Sequence, residues 1–315
     1  MSVDIQGQGM ASTRVTMGDV ARASGVSPAT VSFVLNNAPN QTISAETKER
    51  VRRAARELGY VPHGIARALR EGTSRIVLLD VAAIGDGTNL QDFIRGLEGE
   101  LADTDHVLLV RPSRIDPVQP LLEAVRPCAI VRLGEIYADG REPADGGWVD
   151  GLAAHTAVQI RHLAERGHRH IALAFPDDDD RRLIELHHRY ATEAAGMLGM
   201  SPPYTLIVPA ARGKAVAAVE AFLSAHPDIT AIASLGDLPA LRVLAAAHDL
   251  GLPVPERLAV IGLGDSPYAE MSVPPLTSVR IDAETFGRRA ARQALGMDIG
   301  GLTPAPARVV ARGSG

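Results

Sequence analysis

Several side chains in this 315-residue chain are of types that do chemistry, and their spacing decides how much they can do. The run Pro176–Asp180 strings four aspartates together, but consecutive carboxylates converge poorly on one cation and read as a solvated loop. His168 and His170, and the neighbours His187 and His188, sit too close in sequence to close on one metal ion from a helix or strand. "GLGDSP" at Gly262–Pro267 begins like a dinucleotide-binding loop, yet it lacks the third glycine and puts Pro267 where the helix should start. Cys128 is the only cysteine, with apolar neighbours in "RPCAIVRL". It reads as a buried, inert thiol, and a single cysteine fits a reducing cytosol. No Ser-His-Asp or paired-carboxylate arrangement has local support, so neither catalysis nor a metal or cofactor is expected.

Binding chemistry is better supported, in the stretch Val20–Asn36, "VARASGVSPATVSFVLN". Thr16 can cap a helix, with Asp19 as its capping-box partner three residues on. Gly25 stops that helix, because glycine enters left-handed φ without strain. Ser27 caps a second helix at once, and Pro28 takes its first position, where a missing N–H costs nothing. Val31, Val34 and Leu35 form the inward side of the second helix. Two short helices across a tight glycine turn make a helix-turn-helix. The first turn of the second helix then points Pro28, Ala29, Ser32 and Phe33 away from the core, beside helix-end N–H groups that suit phosphate.

A third helix follows in "ISAETKERVRRAARELGY", capped by Ser44, with Val51, Ala54, Ala55 and Leu58 on one side and Gly59 at its end. Pro62 starts a further short helix in which Ala66 and Leu69 share a face beside Arg67 and Arg70.

Charge supports a polyanion contact at this end. The net charge is −5, but residues 1–75 hold ten basic against six acidic side chains, which leaves +4 there and −9 on the rest. Hydrophobic residues make up 46% of the chain, an ordinary value for a globular protein of two or three domains. No apolar run approaches a membrane span, and "MSVDIQGQGMASTRV" lacks the layout of a signal peptide. Residues 1–13 are expected to be a disordered leader.

The segment Val15–Arg70 resembles the headpiece and hinge of the LacI/GalR family of bacterial repressors: "DVA", "GVS", "TVS", "VLN" and "RELGY" fall in order, with one insertion at "NNAPNQT". The resemblance implies a headpiece over 14–61 and a hinge helix over 62–73. It places the second helix in the major groove and a leucine, here Leu69, as a wedge in the minor groove, with Ala66 packing on its dimer mate. The DNA-contacting set it implies is Thr16, Ser27, Pro28, Ala29, Thr30, Ser32, Phe33, Asn36, Ile43, His63, Ala66 and Leu69. Two positions depart from the family pattern. Phe33 stands where arginine is usual and His63 where asparagine is usual. Phe33 can only touch a thymine methyl or stack, and packing toward the core is an equal alternative. His63 can still bond a phosphate.

After Arg75 the pattern changes to apolar runs such as "RIVLLDVA", "HIALAF" and "LAVIGLG", alternating with amphipathic helical segments. That alternation argues for parallel sheets built from βαβ units, whose ligands bind outside the carboxyl ends of the strands. This body resembles the effector domain of the same family, a periplasmic-binding-protein-like pair of Rossmann-like subdomains. They are expected over 74–166 with 280–300, and 167–279 with 301–315. The fold class is thus an all-α headpiece plus an α/β effector domain.

The effector positions implied are Asp80, Asp150, Gly236, Asp237, Gly264, Asp265 and an arginine near Leu183–Tyr190, for which Arg182 or Arg189 stands. Gly236 and Gly264 replace hydrogen-bonding side chains, so the crevice looks poorly furnished for a sugar; the effector is either a different, larger molecule or absent. The leading expectation is a cytoplasmic regulator, more often repressor than activator. It would bind a near-palindromic DNA operator as a homodimer, with no membrane partner and with a small-molecule effector still open. The alternatives are a solute-binding protein and an enzyme on a doubly wound sheet.

Overall fold

The computed structural model describes residues 15–35, 43–60, 74–81, 88–111, 119–133, 148–177 and 181–315. The chain divides into two compact units, Met1–Gly72 and Thr73–Gly315. The leader, the hinge helix, Asn36, His63, Ala66 and Leu69 lie outside the described residues.

The first unit contains α1 (Met17–Ser24), α2 (Pro28–Leu35) and α3 (Ala45–Glu57). Thr16 forms a full capping box: its hydroxyl accepts from the Asp19 N–H, and the Asp19 carboxylate accepts from the Thr16 N–H at 2.9 Å. Gly25 adopts φ +66, which lets α1 end and α2 begin three residues later, at Pro28. Val20, Ala21, Val31, Val34, Val51, Ala54, Ala55 and Tyr60 make the core. Leu58, expected on the inner face of α3, is exposed, because it caps the helix end, and Tyr60 fills the core instead. Arg50 ties α3 to α1 by donating to the Ser24 carbonyl at 2.9 Å.

The second unit has two lobes. The first holds β1 (Ile76–Asp80), α4 (Thr88–Ala102), β2 (Val107–Arg111), α5 (Gln119–Val125) and β3 (Ala129–Arg132), with a parallel sheet in the order β2-β1-β3. The second holds α6 (Trp148–Glu165), β4 (Ile171–Pro176), α7 (Arg181–Met197), β5 (Tyr204–Val208), α8 (Arg212–Ala225), β6 (Ala231–Ser234), α9 (Asp237–Asp249), β7 (Ala259–Leu263), α10 (Pro267–Met271), β8 (Thr277–Arg280) and β9 (Arg308–Val310). Its six strands run in the order β5-β4-β6-β7-β8-β9, all parallel except β9, an antiparallel edge strand. Strands β4, β6 and β7 are buried on both faces, between α8 and α9 on one side and α6 and α7 on the other, as their unbroken apolar runs require.

One feature departs from the expected subdomain bounds, and another follows them. Residues 148–165 are expected in the first lobe, but Leu152, Ile160 and Leu163 of α6 pack into the core of the second sheet with Leu173, Phe175 and Ile261. Helix α11 (Ala283–Ala294), although it follows β8, returns to the first lobe and lies against α4. The α4–α11 contact is backbone to backbone. A methyl on Gly96 would lie 2.0 Å from the Glu284 carbonyl oxygen, and one on Gly287 would lie 2.0 Å from that of Phe93. Glu100 of α4, nearly buried, accepts from Arg288 at 3.0 Å and from Arg292. The two guanidiniums hold its carboxyl below its ordinary value against the opposing effect of burial.

Candidate nucleic-acid interface and ligand crevice

Helix α2 presents a distinct outer face. Val31 and Val34 are buried, while Pro28, Ala29 and Phe33 are exposed, Phe33 to 38%. The core alternative for Phe33 is therefore not the one the fold adopts. Ser27 uses its hydroxyl locally: it accepts from the Thr30 N–H at 3.1 Å and bonds the Thr30 hydroxyl at 2.9 Å. Thr16 is likewise engaged with Asp19 at the start of α1, and Ile43 is half-buried against the headpiece core. Helix α2 has no charged side chain, so its positive character comes from its N-terminal N–H groups.

The carboxyl ends of β1, β4, β6 and β7 carry the expected ligand positions, and each acid there has a fixed partner. Asp237 opens α9 and is buried. Its carboxylate accepts from the Ser266 N–H and from the Ser278 hydroxyl, both at 2.5 Å. Asp265, with its side chain 1% exposed and φ +50, accepts from Arg280 at 2.5 Å and pairs with Arg312 at 2.7 Å. Asp80 pairs with Arg111 at 3.5 Å. Arg189 lies on the outer side of α7, in a groove of about 510 Å³ with Glu185, His188 and Glu193, stacked over the Tyr190 ring. Asp150 lies in the first turn of α6, and Arg182 in the first turn of α7. Gly236 adopts φ +100 and Gly264 φ +126, conformations that suit glycine.

Three uncharged groups lie near these strand ends; the sequence singles out His187 only as a poor metal ligand, and Asn89 and Gln159 not at all. Asn89, at the start of α4, places its amide nitrogen 2.3 Å from where a methyl on Gly264 would stand, so the two lobes meet there. Gln159 of α6 is fully buried and donates to the carbonyls of Ser234 and Gly262 at 3.0 Å and of Ile261 at 3.3 Å, just where the β6–β7 ladder ends. Its Oε1 has no partner. His187, on the inward side of α7, meets the Phe175 ring edge-on at 5.6 Å, and neither ring nitrogen has a partner. Burial pushes it down to about 3, so it is a neutral imidazole. Reasoning about charge or motif could not find the role of Gln159, because only the paired strands show which carbonyls lack a ladder partner. Replacing Gln159 by leucine should strand those carbonyls and cost about 2 kcal/mol of unfolding free energy, read from the urea midpoint.

Among the described residues no group of three His, Cys, Asp or Glu side chains could hold a metal ion, and no helix is long and apolar enough to cross a membrane.

Residues 16–63 match the family described as bacterial regulatory proteins, lacI family, and residues 160–314 match the periplasmic binding protein-like domain. The HTH-type transcriptional regulator CelR of Thermobifida fusca is 31% identical, over 94% of this chain and 95% of its own length. The HTH-type transcriptional repressor CytR of Escherichia coli K12 is 28% identical over 88% of each chain. A solved CelR–cellobiose complex aligns with a TM-score of 0.59 at 27% identity, covering 96% of this chain and all of that one. The lac repressor dimer bound to operator and the anti-inducer ONPF aligns with a TM-score of 0.72 at 20% identity, over 95% and 98% of the two chains.

Proposed function

This chain belongs to the LacI family of bacterial transcriptional regulators, and we propose that it represses its genes by binding a near-palindromic operator as a homodimer, under control of a small molecule held between the two lobes of its larger unit. The observation that carries the reading is the outer face of α2, placed by a full capping box, a left-handed glycine and a packed three-helix core. That face is available to the major groove, and the proposed contacts remain Thr16, Ser27 through Ser32, Phe33, Asn36, Ile43 and His63. Ala66 and Leu69 serve at the centre of the site, where a leucine wedge bends the duplex so that it wraps more protein.

Pairing is supported by an apolar patch on the second lobe. Leu238 in the first turn of α9, Tyr268 and Met271 in α10 and Val273 just after it are 51%, 65%, 75% and 85% exposed. Such a patch marks an association surface, and a two-fold pairing of copies matches a palindrome.

The chain works by binding rather than catalysis, in the cytoplasm where its operator lies. The fixed partners of Asp80, Asp237 and Asp265 support this, since a carboxylate held by arginines or by N–H and O–H donors has no proton transfer left to perform. The neutral groups of Asn89, Gln159 and His187 favour an uncharged, hydroxyl-bearing effector, and they supply polar contacts in place of those Gly236 and Gly264 lack. Cellobiose, the ligand in the CelR complex, is the first probe.

The test is selection of random duplex DNA by the full-length protein at fixed salt, with and without a panel of neutral and charged metabolites. An enriched palindrome with a central C-G step is expected, and a metabolite that shifts its enrichment identifies the effector class. No enriched palindrome would overturn the reading.

A further inference from the structure

We propose that Phe33 reads the 5-methyl group of a pyrimidine in the major groove, and that this contact takes the place of hydrogen-bonded guanine recognition in each half-site. The proposal rests on the DNA-binding reading above and adds what the reading helix recognises.

The inventory of α2 leads to it by elimination. Val31 and Val34 are buried and can touch nothing outside the headpiece. The hydroxyls of Ser27 and Thr30 are bonded to each other and to the helix start. No lysine, arginine, asparagine, glutamine, aspartate or glutamate lies between Pro28 and Leu35, so the bidentate contacts that identify guanine or adenine have no donor set on this helix. What the helix offers outward is Pro28, Ala29, the part-buried Ser32, which already has a partner, and the Phe33 ring, 38% exposed and the one large apolar side chain on that face. A benzyl side chain has no donor or acceptor for a base edge. The apolar feature in the major groove is the C5-methyl of thymine, and 5-methylcytosine carries the same group at the same place. Docking the ring on that methyl removes apolar surface of both partners from water, and a base without the methyl leaves the ring facing a gap.

The consequence is a recognition rule of an unusual kind. Discrimination at the Phe33 position should depend on a methyl group and be indifferent to the hydrogen-bond pattern that separates uracil from thymine, because there is none: the two bases differ only by that methyl.

The experiment uses the palindrome recovered by selection, resynthesised with deoxyuridine in place of each thymine in turn, at symmetric positions in both half-sites. Binding of the full-length protein and of Phe33→Ala is measured at one salt concentration. At one position, uracil should weaken the wild-type protein about fourfold per half-site, the ratio that burial of a single methyl corresponds to, and so about fifteenfold for the symmetric double replacement. Phe33→Ala should bind the thymine and uracil duplexes equally there while keeping its other thymine dependences. Because Phe33 is exposed, this variant should keep the headpiece folded, which its far-ultraviolet circular dichroism checks. Cytosine and 5-methylcytosine at the same position separate the two sources of the methyl. A gain from 5-methylcytosine over cytosine shows that any methylated pyrimidine serves, and a gain for thymine alone shows that the base is read with its methyl. A thymine-to-uracil ratio near one at every position overturns the proposal, and so does a ratio that Phe33→Ala leaves unchanged. Failure to recover any palindrome would instead strike the DNA-binding reading on which the proposal rests.

Discussion

Gly287→Ala should be among the most destabilising single-methyl additions this protein can receive, lowering the unfolding free energy of the larger unit by about 3 kcal/mol. Its Cβ would arrive 2.0 Å from the Phe93 carbonyl oxygen and 2.9 Å from the carbonyl carbon. The obstruction is main chain in the middle of a helix, so no side chain can swing aside. Helices α4 and α11 must part, and parting them uncovers Phe93, Leu97, Ala290 and Ala291 in the first-lobe core. The control lies on the same helix pair. Gly99 of α4 is exposed and has nothing within 4 Å of a Cβ, so Gly99→Ala should be neutral or stabilise by up to about 1 kcal/mol through its better helix propensity. Urea unfolding of the two variants side by side decides the matter. Equal midpoints would mean that the close approach carries no energy.

Acid should be the second large perturbation. Taking the protein from pH 7 to pH 5 should cost about 4 kcal/mol of stability through two histidines. Burial pushes His155 down to about 4, and His187, wholly buried against Phe175, to about 3. The unfolded chain takes up a proton at each near the ordinary value of 6.5, while the folded chain does not. Stability is therefore full above pH 6.5, falls steadily below it, and stops falling for each histidine only at its folded value. His162 and His168 are also lowered, mainly by burial, and act in the same direction. Glu100 adds to the loss only below its ordinary carboxyl range. Chemical denaturation across pH 5 to 8 measures the slope. A His155→Gln, His187→Met double variant should flatten it, and an unchanged slope would place the proton uptake elsewhere.

Much of the architecture is readable from residue order. The glycine at 25 between two capping serine or threonine positions specifies the helix-turn-helix, and runs such as "RIVLLDVA" can only be strands covered on both sides. What escaped has a common cause. An acid in the right place looks like a ligand whether it faces a crevice or turns inward, and Asp237 and Asp265 turn inward because Ser266, Ser278, Arg280 and Arg312 converge on them from distant positions. Gly96 and Gly287 are 191 positions apart yet both serve the one close approach of α4 to α11, Gly96 against Glu284 and Gly287 against Phe93, so neither has any meaning alone. The end of the β6–β7 ladder, which Gln159 completes, exists only after the strands have paired. Helix α6 could belong to either lobe until its inner face is seen to meet Leu173 and Ile261.

The return of α11 to the first lobe also sets a timetable for synthesis. Arg292 reaches Glu100 across 192 positions of sequence. When α4 leaves the ribosome, the helix that will cover Phe93 and Gly96 has not been translated, and at roughly 5–20 residues per second it follows about ten to forty seconds later. During that interval the first lobe is a three-stranded sheet with one bare helix flank, while β4 through β8 are being made and can fold beside it. Strands β4 through β8 can therefore pair before α11 exists, but β9, the edge strand of the second lobe, is made after it, so both lobes are completed only at the end of synthesis, and the first lobe should be the part that holding chaperones shield until then.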